Sequence, residues 1–188
     1  MLNRLADRVL ALASWRKLGL LLLAYVACLV PLSTADAQIT KMSGGLGVPD
    51  LLHGFTAADL YARFEAFGEA GRSLYFRAEL VDLIYPIIYG FFFAFLIALG
   101  ARRFLRAESP WRLLCLVPLG TTLLDYLENA CFFTVLLSWP ARLDTVASLA
   151  AVFNVSKWLA FVVVMPTAIV SLIALVVAAI RRAPNPTS

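Results

Sequence analysis

Histidine is almost missing from this chain: His53 is the only one among 188 residues. It stands in a loop with no Cys or His partner nearby, so a zinc site has no ligand set. Neither an H-E-x-x-H helix nor a Gly-rich phosphate loop occurs, and no metal or cofactor is implied. Carboxylates with an asparagine can hold a hard cation, but two acids on one helix are too few to specify one. Cysteine is scarce as well. Cys28, Cys115 and Cys131 all fall in apolar segments, which is no disulfide framework. They read as small apolar core residues. Charge is the third shortage. Only 15% of residues are charged and 62% are hydrophobic, against about 25% and about 45–50% in a soluble domain.

The apolar excess is gathered into blocks. Four are long enough to cross a bilayer as helices, which need about 20 residues: Leu18 to Ala35, Leu80 to Ala101, Leu113 to Trp139 and Lys157 to Ile180. Helices are the default, because lipid satisfies no open backbone. The predicted fold is an all-α, four-transmembrane-helix bundle forming a single integral membrane domain over 1–188, with a short amphipathic helix in its first outer loop.

The net charge of +4 matters less than its placement. Arg4, Arg8, Arg16 and Lys17 precede the first block. Arg102, Arg103, Arg106 and Arg112 lie between the second and third, and Arg181 and Arg182 follow the fourth. By the positive-inside rule these are cytoplasmic, which puts both termini inside a bacterial inner membrane. Arginines at span ends anchor topology, so nucleic acid is not an implied partner. One alternative concerns the first span. Ala35-Asp36-Ala37 fits a signal-peptidase site, and cleavage there would leave three spans. The near-full spanning length of the block favours a retained helix.

Residues 1 to 16 read as an amphipathic helix lying on the inner membrane surface, with Leu2, Leu5, Val9, Leu10, Leu12 and Ala13 near one face. Residues 36 to 55, with Ser43-Gly44-Gly45-Leu46-Gly47, read as a flexible loop. Thr56-Ala57-Ala58-Asp59 resembles a capping box. It opens a short helix with Leu60, Tyr61, Phe64 and Phe67 on one face, ended by Gly68 and Gly71 and expected across the outer mouth of the bundle. The second and fourth spans share a spacing: Arg77 precedes Pro86, and Lys157 precedes Pro166, by nine residues each. A parallel repeat of two hairpins, each kinked at its proline, would account for it.

The third span holds the chemistry. Asp125, Glu128 and Asn129 share one helical face at spacings of three and four, and Thr121 and Thr122 extend it. A charged side chain at the bilayer centre costs about 2.5–3.5 kcal/mol or more, so the stripe must face the bundle interior. Asp82, Tyr85 and Tyr89 form a matching face on the second span, and Lys157 heads the fourth. The predicted site is a polar pocket open to the outer side or outer leaflet, lined by Asp82, Tyr85, Tyr89, Asp125, Glu128 and Asn129 with Lys157 at its rim. Asp125 and Glu128 are the candidates for acid/base chemistry or proton coupling. The plainer alternative is that they hold together a bundle with no hydrophobic drive in lipid.

Leu124-Asp125-Tyr126-Leu127-Glu128-Asn129, with Asp82-Leu83-Ile84-Tyr85-Pro86 and the four-span layout, resembles a group of small bacterial membrane proteins over about residues 55 to 180. That likeness carries no mechanism. The layout is also similar to that of the emopamil-binding (EXPERA) family, which isomerises or binds sterols with carboxylates in a membrane-buried pocket. Glu79-Leu80-Val81, Tyr85-Pro86, Asp125 and Glu128 carry the similarity. The family's histidine-bearing active site has no match, so no catalytic role passes to any single residue. A lipid or small amphiphile is the expected ligand and the bilayer the expected partner. The alternatives are a proton- or cation-coupled transporter and a subunit of a membrane complex. The last would meet a second copy or another membrane protein through Phe64 and Phe67.

Overall fold

The computed structural model describes residues 1–181, so Arg182 of the basic C-terminal pair lies outside the described residues. Among these the chain is all helical. The helices are α1 (Leu2–Leu12), α2 (Trp15–Met42), α3 (Ala57–Asp82), α4 (Tyr85–Phe104), α5 (Val117–Ser138) and α6 (Asp144–Ile180). Short 3-10 turns at Pro49–Leu51 and Pro110–Leu116 join them. Three helices are long and apolar enough to cross a membrane: α2, α4 and α6. The fourth expected span, α5, is 22 residues long, but its polar stripe makes it less apolar.

Pair contacts give the directions. Tyr89 and Phe93 of α4 meet Phe161 of α6, and Gly100 meets Ser171, so α4 and α6 run parallel. Tyr126 of α5 bonds Leu83 O, and Thr122 bonds Pro86 O, so α5 runs antiparallel to α4. The end of the bundle with α1 and Pro110–Leu116 is called here the α1 end, and the opposite one the loop end. α4 is the central helix, with a nearly continuous buried run from Phe93 to Ala101. Its glycines allow close crossings: a Cβ on Gly90 would sit 2.0 Å from Thr122 Oγ1, and one on Gly100 would sit 2.7 Å from Ser171 Cβ. Small residues at such crossings let helices approach where hydrophobic drive is absent.

Two apolar cores result. One, at the α1 end, joins α1, α4 and α6. The other, at the loop end, packs Phe64, Phe67 and Tyr75 of α3 on Phe132 and Val135 of α5 and Ala147 and Ala150 of α6. Between them α5 presents Asp125, Glu128 and Asn129 inward while Leu123, Leu127 and Leu137 face out. This is the orientation the cost of charge in lipid requires.

Several boundaries differ from expectation. α1 is docked on the bundle through part of its expected apolar face. Ala6, Val9, Leu10 and Ala13 are buried, while Leu2, Leu5 and Leu12 stay exposed. Arg102 Nη1 donates to Leu10 O (3.0 Å) and Ala13 O (2.9 Å), satisfying carbonyls at the helix end. α2 continues without a break through Ala35-Asp36-Ala37 to Met42. α3 opens on the expected capping box, with Asp59 N donating to Thr56 Oγ1 and Thr56 N to Asp59 Oδ2. Gly68, at φ 62° and ψ -173°, ends the short helix that Thr56 opens, as expected. A second helix follows at once across the kink and runs to Asp82, with Gly71 inside it, so α3 is two helices joined at Gly68. Arg72 Nη1 bridges the break by donating to Phe64 O at 2.7 Å. The expected apolar face of Leu60, Tyr61, Phe64 and Phe67 is buried in the chain's own core. Phe64 and Phe67 are therefore not presented to a partner.

The second span begins at Tyr85 rather than Leu80, so Asp82 belongs to the end of α3. Pro86 sits in the first turn of α4, where no N–H is needed, and kinks nothing. Pro166 lies inside α6, so the two hairpins are not equivalent and the repeat fails. α6 starts thirteen residues before Lys157, at Asp144, and its 37 residues extend about 55 Å at 1.5 Å each. Its extra turns bury Ala147 and Ala150 against α3 and α5, and Leu143 N donates to Tyr61 OH at 2.5 Å.

Candidate functional site

The buried polar network is centred on Lys157. Its Nζ lies 2.5 Å from Glu128 Oε2 and 3.2 Å from Asp125 Oδ1. Lys157 is 5% exposed and Glu128 0%, so the cation is in the interior and not at a rim. The long first half of α6 places it there. The remaining oxygens are taken as well. Tyr89 OH donates to Asp125 Oδ2 (2.7 Å), and Asn154 Nδ2, one turn before Lys157, donates to Glu128 Oε1 (2.9 Å). Buried charges are tolerated in this way, paired and hydrogen-bonded at once. A second link joins α5 to the end of α3, where Asn129 Nδ2 donates to Asp82 Oδ2 at 2.6 Å.

Beside this network lies a cavity of about 420 Å³ walled by α2, α3, α4, α5 and α6. Of the predicted pocket residues, Asp82, Tyr85, Tyr89, Asp125 and Lys157 reach its wall. Glu128 and Asn129 do not, being packed behind. Tyr85 makes no hydrogen bond to an acid. Its ring packs against Tyr25 and Tyr89, 5.5 and 5.3 Å between centroids.

The wall also holds residues that sequence reasoning missed as part of the pocket: Asp36 on α2, Asp50 in the connecting turn, and Tyr75 and Glu79 on α3. Glu79 had a visible signal, since it stands three residues before Asp82 on one face. Asp50 had none, because nothing local tells that its loop folds back over the bundle. That loop is anchored at several points. Val48 N donates to Asp36 Oδ1 (3.0 Å), Tyr75 OH to Asp50 Oδ2 (2.8 Å) and Asn154 Nδ2 to Asp50 O (3.3 Å). His53 packs on Trp158 at 4.3 Å. Thus residues 48–53, expected to be a free loop, cover the loop end of the cavity, a place expected for the helix after Thr56. Burial holds the Asp50 carboxyl above its ordinary range, with the nearby Lys157 ammonium opposing the shift.

The wall therefore carries five carboxyl groups, Asp36, Asp50, Glu79, Asp82 and Asp125, against Lys157, whose charge is already shared by two acids. The rest is largely aromatic and aliphatic, including Tyr25, Phe93, Phe161 and Met165. Glu79 is 2% exposed, and its Oε2 accepts no hydrogen bond. An apolar chamber with a small number of placed polar groups is the usual form of a small-ligand site. Comparison of the chain with protein-family models, curated proteins and solved structures finds no match.

Proposed function

We infer that this is a four-span integral membrane protein of the bacterial inner membrane that binds a lipid or small amphiphile in the cavity beside Lys157. α4 and α6 run the same way, so α5 between them must cross back, which supports a fourth span despite its polar stripe. The basic residues Arg4, Arg8, Arg102, Arg103, Arg106, Arg112 and Arg181 gather at the α1 end. The positive-inside rule then makes that end cytoplasmic, with both termini inside. Retention of α2 fits the same picture, because Tyr25, Leu29 and Asp36 form one wall of the cavity.

The observation that carries the binding function is the cavity's composition. Apolar walls that suit a hydrocarbon tail meet polar groups that suit a head. Asp125 and Glu128 are fully engaged with Lys157, Tyr89 and Asn154, so their role here is to hold the wall rather than to react. Coupled transport gains no such support. Toward the α1 end the interior continues as Phe93, Ala94, Ile97 and Ala98, and Thr121 Oγ1 is tied to Val117 O.

The test is thermal unfolding of purified protein against a panel of single-chain amphiphiles. A ligand present at about 100 times its dissociation constant stabilises by about 2.7 kcal/mol. Stabilisation by at least one amphiphile is expected, and it should be lost or weakened in Ala78→Trp, whose indole would intrude into the cavity from α3. No stabilisation by any member, or an equal effect in Ala78→Trp, would contradict the function.

A further inference from the structure

We propose that the cavity takes its ligand sideways from the bilayer, through the gap between α2 and α6, and that the ligand's head is a hydrogen-bond donor rather than an anion. The proposal rests on the amphiphile site described above and specifies its entrance and its ligand class.

The entrance follows from what closes the other sides. Residues 48–53 cover the loop end, held to α2, α3 and α6 by the contacts of Val48, Asp50 and His53. The α1 end is filled by an apolar core. α3, α4 and α5 pack against one another or against α6. α2 packs on α3 and α4 but hardly touches α6, although both line the same cavity, α2 through Leu29, Leu32 and Ser33 and α6 through Trp158, Phe161 and Met165. The gap between them is thus edged mostly by apolar side chains, Ser33 being the exception with its hydroxyl turned to Val30 O, on two helices that lie at membrane depth. Pro31, inside α2, removes one backbone hydrogen bond at this level, which gives the wall a point of bending.

The head follows from charge. A phosphate or carboxylate entering here would meet five carboxyl groups, and the one cation on the wall already has two partners. A hydroxyl or ammonium finds acceptors instead, above all Glu79, buried and with an oxygen that accepts nothing. The aromatic rings of Tyr25, Tyr85, Tyr89 and Phe161 line the cavity and suit a cationic head further.

The experiment uses bromine quenching of Trp158, which lies on the cavity wall. Trp15, Trp111 and Trp139 are replaced by Phe and the protein is placed in phosphatidylcholine nanodiscs. If that variant does not fold, the same signal is read as the difference between wild type and Trp158→Phe. The probes are a brominated long-chain amine, the matching alcohol and the matching fatty acid. Saturable quenching by the amine, the alcohol or both is expected, with the acid no better than brominated phosphatidylcholine. Glu79→Gln should weaken the amine by about tenfold, the scale of one charge-assisted hydrogen bond, and the alcohol less. Equal quenching by all three probes would overturn the donor head. A second arm replaces the native cysteines by Ala and links Leu29→Cys to Met165→Cys with a flexible bismaleimide. Linked protein should take up the probe about tenfold more slowly, as expected of a gated site, to the same extent. An unchanged rate would overturn the side entrance while leaving the site intact. No saturable quenching with any probe would overturn the amphiphile site itself.

Discussion

Replacing Lys157 by Met removes the one cation from the interior network and strands two acids. Its ammonium is 3.2 Å from Asp125 and 2.5 Å from Glu128, and the three side chains are at most 6% exposed. At an effective dielectric of about 20, one unit-charge pair at about 4 Å is worth about 4 kcal/mol. Breaking a buried pair by deleting one partner costs about 3–5 kcal/mol, because the other charge stays uncompensated. Here two acids lose the same partner, so the loss belongs near the upper end, about 5 kcal/mol. For a chain of this size that corresponds to a fall in melting temperature of about 10–20 °C. The assay is thermal unfolding in a mild detergent, followed by far-ultraviolet circular dichroism. The companion variant Lys157→Met/Asp125→Asn/Glu128→Gln should recover most of the loss, since no uncompensated charge remains while amide oxygens still accept from Tyr89 and Asn154. A single variant within about 1 kcal/mol of wild type, or a triple variant no better than the single, would refute the account of a paired buried cluster.

Three further outcomes are expected. Gly90→Ala puts a methyl where Thr122 Oγ1 already sits. It should break the Thr122–Pro86 hydrogen bond and destabilise by about 1–3 kcal/mol in chemical unfolding, whereas Gly120→Ala, with open space around it, should not. Arg102→Met removes the two hydrogen bonds that hold the end of α1, so amides of residues 5–13 should exchange faster while those of α5 stay protected. Hydrogen bonds from Thr56 hold the Asp59 carboxyl below its ordinary value of 3.8. The cap therefore stabilises α3 above that value, and its contribution is lost as pH falls through the lower folded one. Amide exchange in residues 57–67 should speed up over that acid window in wild type and show no such step in Asp59→Asn.

The helical blocks were legible because hydrophobic length is a direct requirement of the bilayer. The inward stripe of α5 was legible for the same reason, since spacing alone sets a shared face and cost alone sets its direction. The register of the partner helices was not. Lys157 looked like a span edge because the residues before it, Asn154 and Ser156, are polar. In the fold those turns are covered by α3 and α5, and Asn154 is a buried partner of Glu128. Asp82 seemed continuous with Tyr85 because helical periodicity runs unbroken through the break at Leu83–Ile84. Tyr126 OH donating to Leu83 O stabilises that break from another helix, and no local pattern reports such a bond. Asp50 and Glu79 were missed as wall residues because a loop folded over the bundle is decided by tertiary contacts.

Native mass spectrometry of the protein released from its own membrane into a mild detergent tests the central claim most directly. One tightly retained amphiphile per chain is expected in wild type, lost or reduced in Ala78→Trp at equal folded fraction. A chain that carries no small molecule, or one retained equally in Ala78→Trp, would contradict it.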